Sequence, residues 1–188
     1  RQRGDFLLPW LPYRMQLLAT INPEQVAVEA EKKFRLRQAA RAVVFDADGN
    51  IALLHVTKLG YHKLPGGGIK PNEDTVASLR RECLEEIGCR IEITGELGRV
   101  IEFRQRYHIR QESFCYLARL AGAKGVPQLT EDEVRDGFVT VWLPILQAIE
   151  MVASDRSDDY PWPFIQARDL TFLRVTSAHL GKGPTHML

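Results

Sequence analysis

The sequence predicts an α/β fold of the α+β type: a mixed β-sheet sandwiched between helices. Three observations predict it. Short apolar runs rich in Val, Ile and Ala are separated by turn clusters, the mark of paired strands. Helix-period segments interleave with those runs instead of standing apart, which favours helices on both faces of one sheet. A chain of 188 residues, 45% hydrophobic and 26% charged, is large enough to bury one real core.

The elements follow in order. Asn22-Pro23 opens a short helical pattern reaching about Lys32, with Pro23 suited to a first helical position. Leu36 to Phe45 reads as a strand, Asp46 to Asn50 as a turn, and Ile51 to Val56 as the returning strand of a hairpin. A short strand near Tyr61 to Leu64 runs into Pro65-Gly-Gly-Gly68, where the backbone must take unusual angles or approach something closely. From Asp74 to Ile87 the stripe Val76, Leu79, Cys83 and Ile87 recurs at helical spacing, and Gly88 is a natural left-handed stop. Strand-like stretches follow at Arg90–Thr94, Arg99–Phe103 and His108–Leu120. A Gly-rich connection and an acidic loop, Glu131-Asp-Glu133, lead to a strand over Phe138–Leu143. Helices are expected from Pro144 to about Ala153 and over Trp162–Leu180, the second as a core-packing or dimer-forming element.

Charge and cysteine content narrow the function classes. A formal net charge of +1 provides no bulk field to draw nucleic acid or a membrane surface, so neither is an expected partner. Phe6 to Tyr13 is apolar, but Pro9 and Pro12 break it and it is too short to span a bilayer. Cys83, Cys89 and Cys115 match no zinc spacing, and reduced buried thiols in a cytoplasmic protein are the expectation.

The chemistry concentrates in Gly67 to Cys89. On a helix Glu82, Glu85 and Glu86 share one face, within an arc of roughly 100° beside the apolar stripe. Like charges at these spacings destabilise a bare helix, and no lysine dilutes them. The bland alternative is a solvated helix face. A carboxylate cluster bordering a core instead invites a hard divalent cation, for which carboxylate oxygens are preferred ligands.

The wider spacing decides between these. The segment resembles the box of the Nudix hydrolases, G-x5-E-x7-R-E-U-x-E-E-x-G-U, at every fixed letter: Gly67, Glu73, Arg81, Glu82, Glu85, Glu86 and Gly88. Both aliphatic positions U are cysteine, Cys83 and Cys89, which pack as small hydrophobes. The resemblance implies a Nudix-like α/β/α sandwich, with residues 1–34 as an N-terminal extension, 35–153 as the hydrolase domain, and 154–188 as a C-terminal helix and tail packed on it. Residues 1–14 carry no functional reading.

The resemblance also implies the site. Glu82, Glu85 and Glu86, with the carbonyl of Gly66, match the family's Mg²⁺ ligands, for which Mn²⁺ is a possible substitute. Gly67, Glu73, Arg81 and Gly88 support the site, with Glu73 and Arg81 bracing loop against helix. Glu82 is the candidate general base within the box. A further acidic residue is implied before the strand that ends in Trp142, with Glu133 the first choice and Glu131 the second. The expected substrate is a nucleotide-like small molecule with a diphosphate linkage: a nucleoside triphosphate, an oxidised nucleotide, a dinucleoside polyphosphate or a nucleotide sugar such as ADP-ribose. Arg104, Arg106, His108 and Arg110 are candidate phosphate contacts if they share a strand face, an alternation that a hairpin near Gln105–Tyr107 would break. Tyr107 is a further candidate contact, at about the distance after the box where dinucleoside-polyphosphate hydrolases of the family carry a base-stacking tyrosine. A non-catalytic nucleotide-sensing or interaction module on the same fold is the alternative, and three retained carboxylates argue against it.

Overall fold

The computed structural model describes residues 15–181. Seven strands and five helices follow in the order β1 (Leu17–Ile21), α1 (Val28–Glu31), β2 (Arg35–Phe45), β3 (Ile51–Val56), β4 (Tyr61–Lys63), α2 (Thr75–Ile87), β5 (Ile91–Arg104), β6 (Ile109–Leu120), α3 (Glu131–Asp136), β7 (Phe138–Leu143), α4 (Ile145–Ser154) and α5 (Trp162–Leu180). One mixed sheet runs β1-β5-β6-β2-β3-β4, with β7 on the other side of β3. β2 and β6 are parallel over the whole of β2, and β5 and β6 are antiparallel.

The two layers on this sheet follow from alternation along β2. Ala40, Ala42 and Val44 face α2 and pack with Leu79, Cys83 and Ile87. Val43, with Ile51 and Leu53 of β3, faces α4 and α5 and packs with Ala148, Val152, Phe172 and Leu173. The predicted sandwich of a mixed sheet between helices is therefore the observed one. Trp162 and Phe172 of α5 are buried in the chain's own core, which favours core packing for this helix over dimer formation. Cys83, Cys89 and Cys115 are buried and free, and burial pushes the Cys83 and Cys115 thiols up. No helix among the described residues is long and apolar enough to cross a membrane.

Four elements differ from the sequence reading. Leu17–Ile21 forms a strand, parallel to β5, that adds an edge to the sheet. The helix expected over 23–32 shrinks to Val28–Glu31, because Asn22 closes a turn instead: its side chain accepts from the Val26 N–H at 2.8 Å and donates to the Val26 carbonyl at 3.0 Å. The two strands expected at 90–94 and 99–103 are one, with irregularities between Ile93 and Gly95 and between Glu96 and Gly98 absorbing the break. The acidic loop is a one-and-a-half-turn helix, α3, whose capping box joins Thr130 and Glu133.

One irregularity positions the site. β2 and β3 pair only at their hairpin end, Phe45 with Ile51, and then splay apart. The glycine loop takes the vacated place along β2. Ala42 N–H donates to Pro65 O at 3.2 Å, Ala40 N–H to Gly67 O at 3.0 Å, and Ile69 N–H to Gln38 O at 3.1 Å.

Candidate active site

Helix α2 is built to carry the carboxylates. Asp74 caps its first turn, accepting from Ala77 N–H at 2.7 Å, and Gly88 ends it with φ of 65°. A Cβ at Gly88 would stand 2.6 Å from the Val126 backbone, so the 122–128 connection crosses this helix end too closely for any other residue. Gln128 N–H then donates to Glu85 O at 2.7 Å, meeting one of the carbonyls left open at the end of α2.

Glu82, Glu86 and Glu133 come together: one carboxylate oxygen from each lies within 4.8 Å of the others. Glu86 is the most enclosed, at 2% exposure, and receives the Gly66 N–H at 2.6 Å and Lys63 Nζ at 3.4 Å. Burial pushes its carboxyl up, against the opposing pull of Lys63 and the Gly66 N–H. The Glu82 carboxylate lies against the loop itself. A Cβ at Gly67 would fall 2.3 Å from Glu82 Oε1, so glycine there is what lets the carboxylate approach. Glu133 arrives from α3, and one of its oxygens accepts Thr130 N–H at 2.8 Å. Carboxylates this close repel by about 3 kcal/mol per pair at an effective dielectric near 20. Lys63 offsets Glu86 and Arg81 offsets Glu82, which leaves Glu133 without an ion-pair partner among the described residues and the trio open to a further cation. Hard oxygen donors of this kind suit Mg²⁺ or Mn²⁺.

Arg81 braces the loop against the helix. It binds Glu73 through two nitrogens, at 2.7 and 3.0 Å, and also reaches Glu82 at 2.9 Å, Glu85 at 3.0 Å and the Gly68 carbonyl at 3.4 Å. Glu85 thereby faces Arg81 and lies outside the carboxylate trio. Glu131, at the start of α3, is exposed and also outside it. The Arg81 guanidinium holds the Glu73 carboxyl down at about 2. A carboxyl lowered on folding contributes stability above its unfolded value, near 4.5, and loses it as pH falls towards 2. The melting temperature should therefore drop across that window, and Glu73→Gln should flatten this part of the drop. Parallel acid limbs for the two proteins would show that the pair does not stabilise the fold.

The predicted basic cluster does not assemble on one face. A 3-10 turn at Gln105–Tyr107 interrupts the two strands. Arg104 is buried and bound to Glu102 at 2.6 and 2.9 Å. Arg106 lies over the Tyr160 ring at 5.1 Å, and Tyr107, 47% exposed, packs edge-on to the same ring. Arg110 stands at an even position of β6 with Phe114, turned to the face opposite Arg104.

Sequence reasoning missed Lys63, which touches Glu86 and lies 4.4 Å from the centre of the Phe138 ring. A lone lysine on a three-residue strand carries no periodic signal. A cavity of about 870 Å³ lies beside the start of α2, lined by Ile69, Glu73, Thr75, Ile93 and Tyr116 among others, and none of the carboxylate trio lines it.

The fold is shared with known proteins. No curated protein matches the chain. Among solved structures, a NUDIX hydrolase from Nitrosomonas europaea superposes with a TM-score of 0.59 at 17% identity, over 81% of this chain and 98% of that one. A MutT protein from Methanosarcina mazei gives 0.56 at 15% identity, over 78% and 97%. The C. elegans Ap4A hydrolase gives 0.51 at 18%, over 78% and 99%. At these identities the likeness is one of fold. Residues 35–163 match the family model of the NUDIX domain, and with the complete box on α2 and its loop, the chain belongs to the Nudix family.

Proposed function

We propose that the protein is a Mg²⁺-dependent hydrolase that cleaves a diphosphate linkage in a nucleoside diphosphate joined to another moiety, by attack of water on phosphorus. The observation that carries this reading is the convergence of Glu82, Glu86 and Glu133 within 4.8 Å beside the glycine loop. Membership of the family, and a fold shared with proteins named for MutT and for Ap4A hydrolysis, support the substrate class. The three carboxylates and the Gly66 carbonyl would hold the cation, with Glu85 beside them on Arg81. When bound, Mg²⁺ (or Mn²⁺) neutralises the diphosphate, polarises phosphorus and lowers the pKa of water.

The residues divide the remaining work. Lys63 and the Gly66 N–H fix Glu86, and Arg81 ties down one oxygen of Glu82. Glu133 is the least constrained of the three, and its oxygen not bound to Thr130 N–H takes the proton from the attacking water. Gly66 to Gly68 let backbone and phosphates approach without Cβ clashes. The free, buried cysteines fit a cytoplasmic setting.

A panel of nucleoside triphosphates, dinucleoside polyphosphates and nucleotide sugars, assayed with Mg²⁺ by phosphate release through a coupling phosphatase, tests the activity. Glu133→Gln should lower kcat tenfold or more and shift the acidic limb of the pH profile. Glu131→Gln, altering an exposed residue, should leave both in place. A wild-type profile for Glu133→Gln would move the base into the box.

A further inference from the structure

The sheet face beneath α5 holds a charge imbalance that the proposed hydrolysis does not use. Arg37 and Arg41 stand on the same side of β2 with only Ala39 between them. β6 sets Gln111 opposite Arg37 and Ser113 opposite Ala39, β5 sets Glu102 opposite Gln111, and α5 brings Arg168 and Asp169 onto this layer. Both carboxylates are already engaged. Glu102 accepts from Arg104 at 2.6 and 2.9 Å, from Gln111 at 3.2 Å and from Arg168 at 3.3 Å. Asp169 accepts from Arg168 at 2.7 Å and from the Leu64 N–H at 2.9 Å. Four guanidinium groups (Arg37, Arg41, Arg104, Arg168) outnumber the two carboxylates of this layer (Glu102, Asp169), with Glu86 a further negative charge acting on Arg41 from beyond the layer.

That surplus sits on Arg37 and Arg41, neither of which has a carboxylate partner among the described residues. Arg41 is 6% exposed, its Nη1 reaches only the Ala40 carbonyl at 3.4 Å, and its Nε has no partner. Arg168 Nη2 is likewise unpartnered. Burial pulls the Arg41 guanidinium down to about 10, so it stays charged at neutral pH. Arg37 donates one nitrogen to Gln111 Oε1 and turns the other towards the glycine loop, 3.3 Å from where a Gly68 Cβ would stand. Arg41 is buried and Arg37 half-buried. The Asp169 and Glu86 carboxylates that act on Arg41 are each already bound to another cation, Arg168 and Lys63. The open guanidinium nitrogens of this layer therefore point to an anion from outside the chain.

We infer that Arg37 and Arg41, backed by Arg168, form a phosphate-recognition subsite, and that the substrate carries a phosphate group beyond the two of the cleaved linkage. The identity of the substrate rests on the proposed hydrolase reading; the anion subsite does not. Open nitrogens on two guanidinium groups, Arg41 Nε and Arg168 Nη2, with Arg37 beside them, suit a phosphate group with its several acceptor oxygens better than a carboxylate with two. Guanidinium forks suit the tetrahedral oxygens. The loop relates the two halves of the site. Glu86 and Glu82 lie against Gly66 and Gly67, while Cβ atoms at Gly66 and Gly68 would meet Arg41 Cα at 3.0 Å and Arg37 Nη2 at 3.3 Å. Three residues span at most about 10 Å, so carboxylates and arginines flank one short stretch of backbone. A nucleoside triphosphate or longer polyphosphate reaches both halves, and a diphosphate joined to an uncharged sugar reaches one.

The test separates binding from turnover. Thermal melts in excess chelator at 0.15 M salt, with inorganic triphosphate as the probe, should show a ligand-dependent rise in Tm for the wild type. That rise should be lost in both Arg37→Gln and Arg41→Met. Unliganded Arg41→Met should melt no lower than wild type, because it removes an unpaired buried charge. With Mg²⁺, Arg37→Gln should lower the ratio of kcat/KM for a nucleoside triphosphate to that for a nucleotide sugar at least tenfold. No triphosphate shift in the wild type, a full shift retained in both variants, or equal losses on both substrates overturns the subsite. Triphosphate binding without any Mg²⁺-dependent hydrolysis overturns the hydrolase reading alone.

Discussion

Glu86→Gln is expected to lower kcat at least a hundredfold while leaving the unliganded protein as stable as the wild type, or more so. The carboxylate is at once the best enclosed of the trio and the one whose charge the fold tolerates least. Glutamine keeps an oxygen to accept the Gly66 N–H and fills the same volume, so the loop stays in place. What disappears is a negative charge facing Glu82 and Glu133 and, with it, the Lys63 ion pair. A hundredfold loss corresponds to about 2.7 kcal/mol of barrier, within the several kcal/mol that Lewis-acid stabilisation supplies. Because folding raises the Glu86 carboxyl above its ordinary value, its ionisation costs the native state progressively more as pH rises from 4.5. The stability advantage of the variant should therefore be larger at neutral pH than at pH 4. Near-normal kcat in a well-folded Glu86→Gln protein would remove Glu86 from the proposed ligand set.

Exhaustive chelation should abolish turnover, and Mn²⁺ should restore it in place of Mg²⁺. The groups that converge on the proposed site are carboxylates, and without a cation they repel the phosphates they are meant to bind. The chelated protein should stay folded, since both hydrophobic layers are complete without the carboxylates. Adding back Mg²⁺ should then raise Tm through binding to the native state, by an amount equivalent to about 2.7 kcal/mol at a hundredfold excess over Kd. Glu86→Gln and Glu133→Gln should each reduce that rise. Undiminished hydrolysis in chelator would sink the mechanism, however well the carboxylates converge.

How much was legible in the sequence depended on whether the signal was local. The box lies within one helix and its preceding loop, so its spacing carried the Arg81 bond to Glu73, but not the bonds by which the long Arg81 side chain also reaches round the helix to Glu82, Glu85 and the Gly68 carbonyl. Glu133 was legible only as one of two candidates. The choice between them comes from the capping box, in which Thr130 fixes where α3 begins and Glu133 occupies its third position, while Glu131 stays exposed. Arg104 pointed the wrong way for a physical reason. It belongs to a long strand whose inward face carries Glu102, and an arginine beside a buried carboxylate pairs with it before it contacts a ligand. β1 left no trace because Leu17–Ile21 is held by pairing with β5, with Leu18 packed where a Gly98 Cβ would stand, and neither partner is near in sequence. Arg37 and Arg41 carried no signal in the sequence, because what sets them apart is the engagement of carboxylates that lie on β5 and α5.

The replacement of β3 by the glycine loop along β2 has a consequence for how this chain tolerates change in length. Because Pro65, Gly67 and Ile69 occupy ladder positions opposite Ala42, Ala40 and Gln38, the loop has a register. Inserting or deleting one residue between Leu64 and Ile69 would slip that register by one. Every peptide would turn to the opposite side, and the Gly66 N–H would point away from Glu86. The segment is thus as fixed in length as a central strand. The turn that follows, Lys70 to Glu73 with Asn72 at φ of 69°, lies outside this ladder, and Glu73 at its end ties the loop to α2 through Arg81.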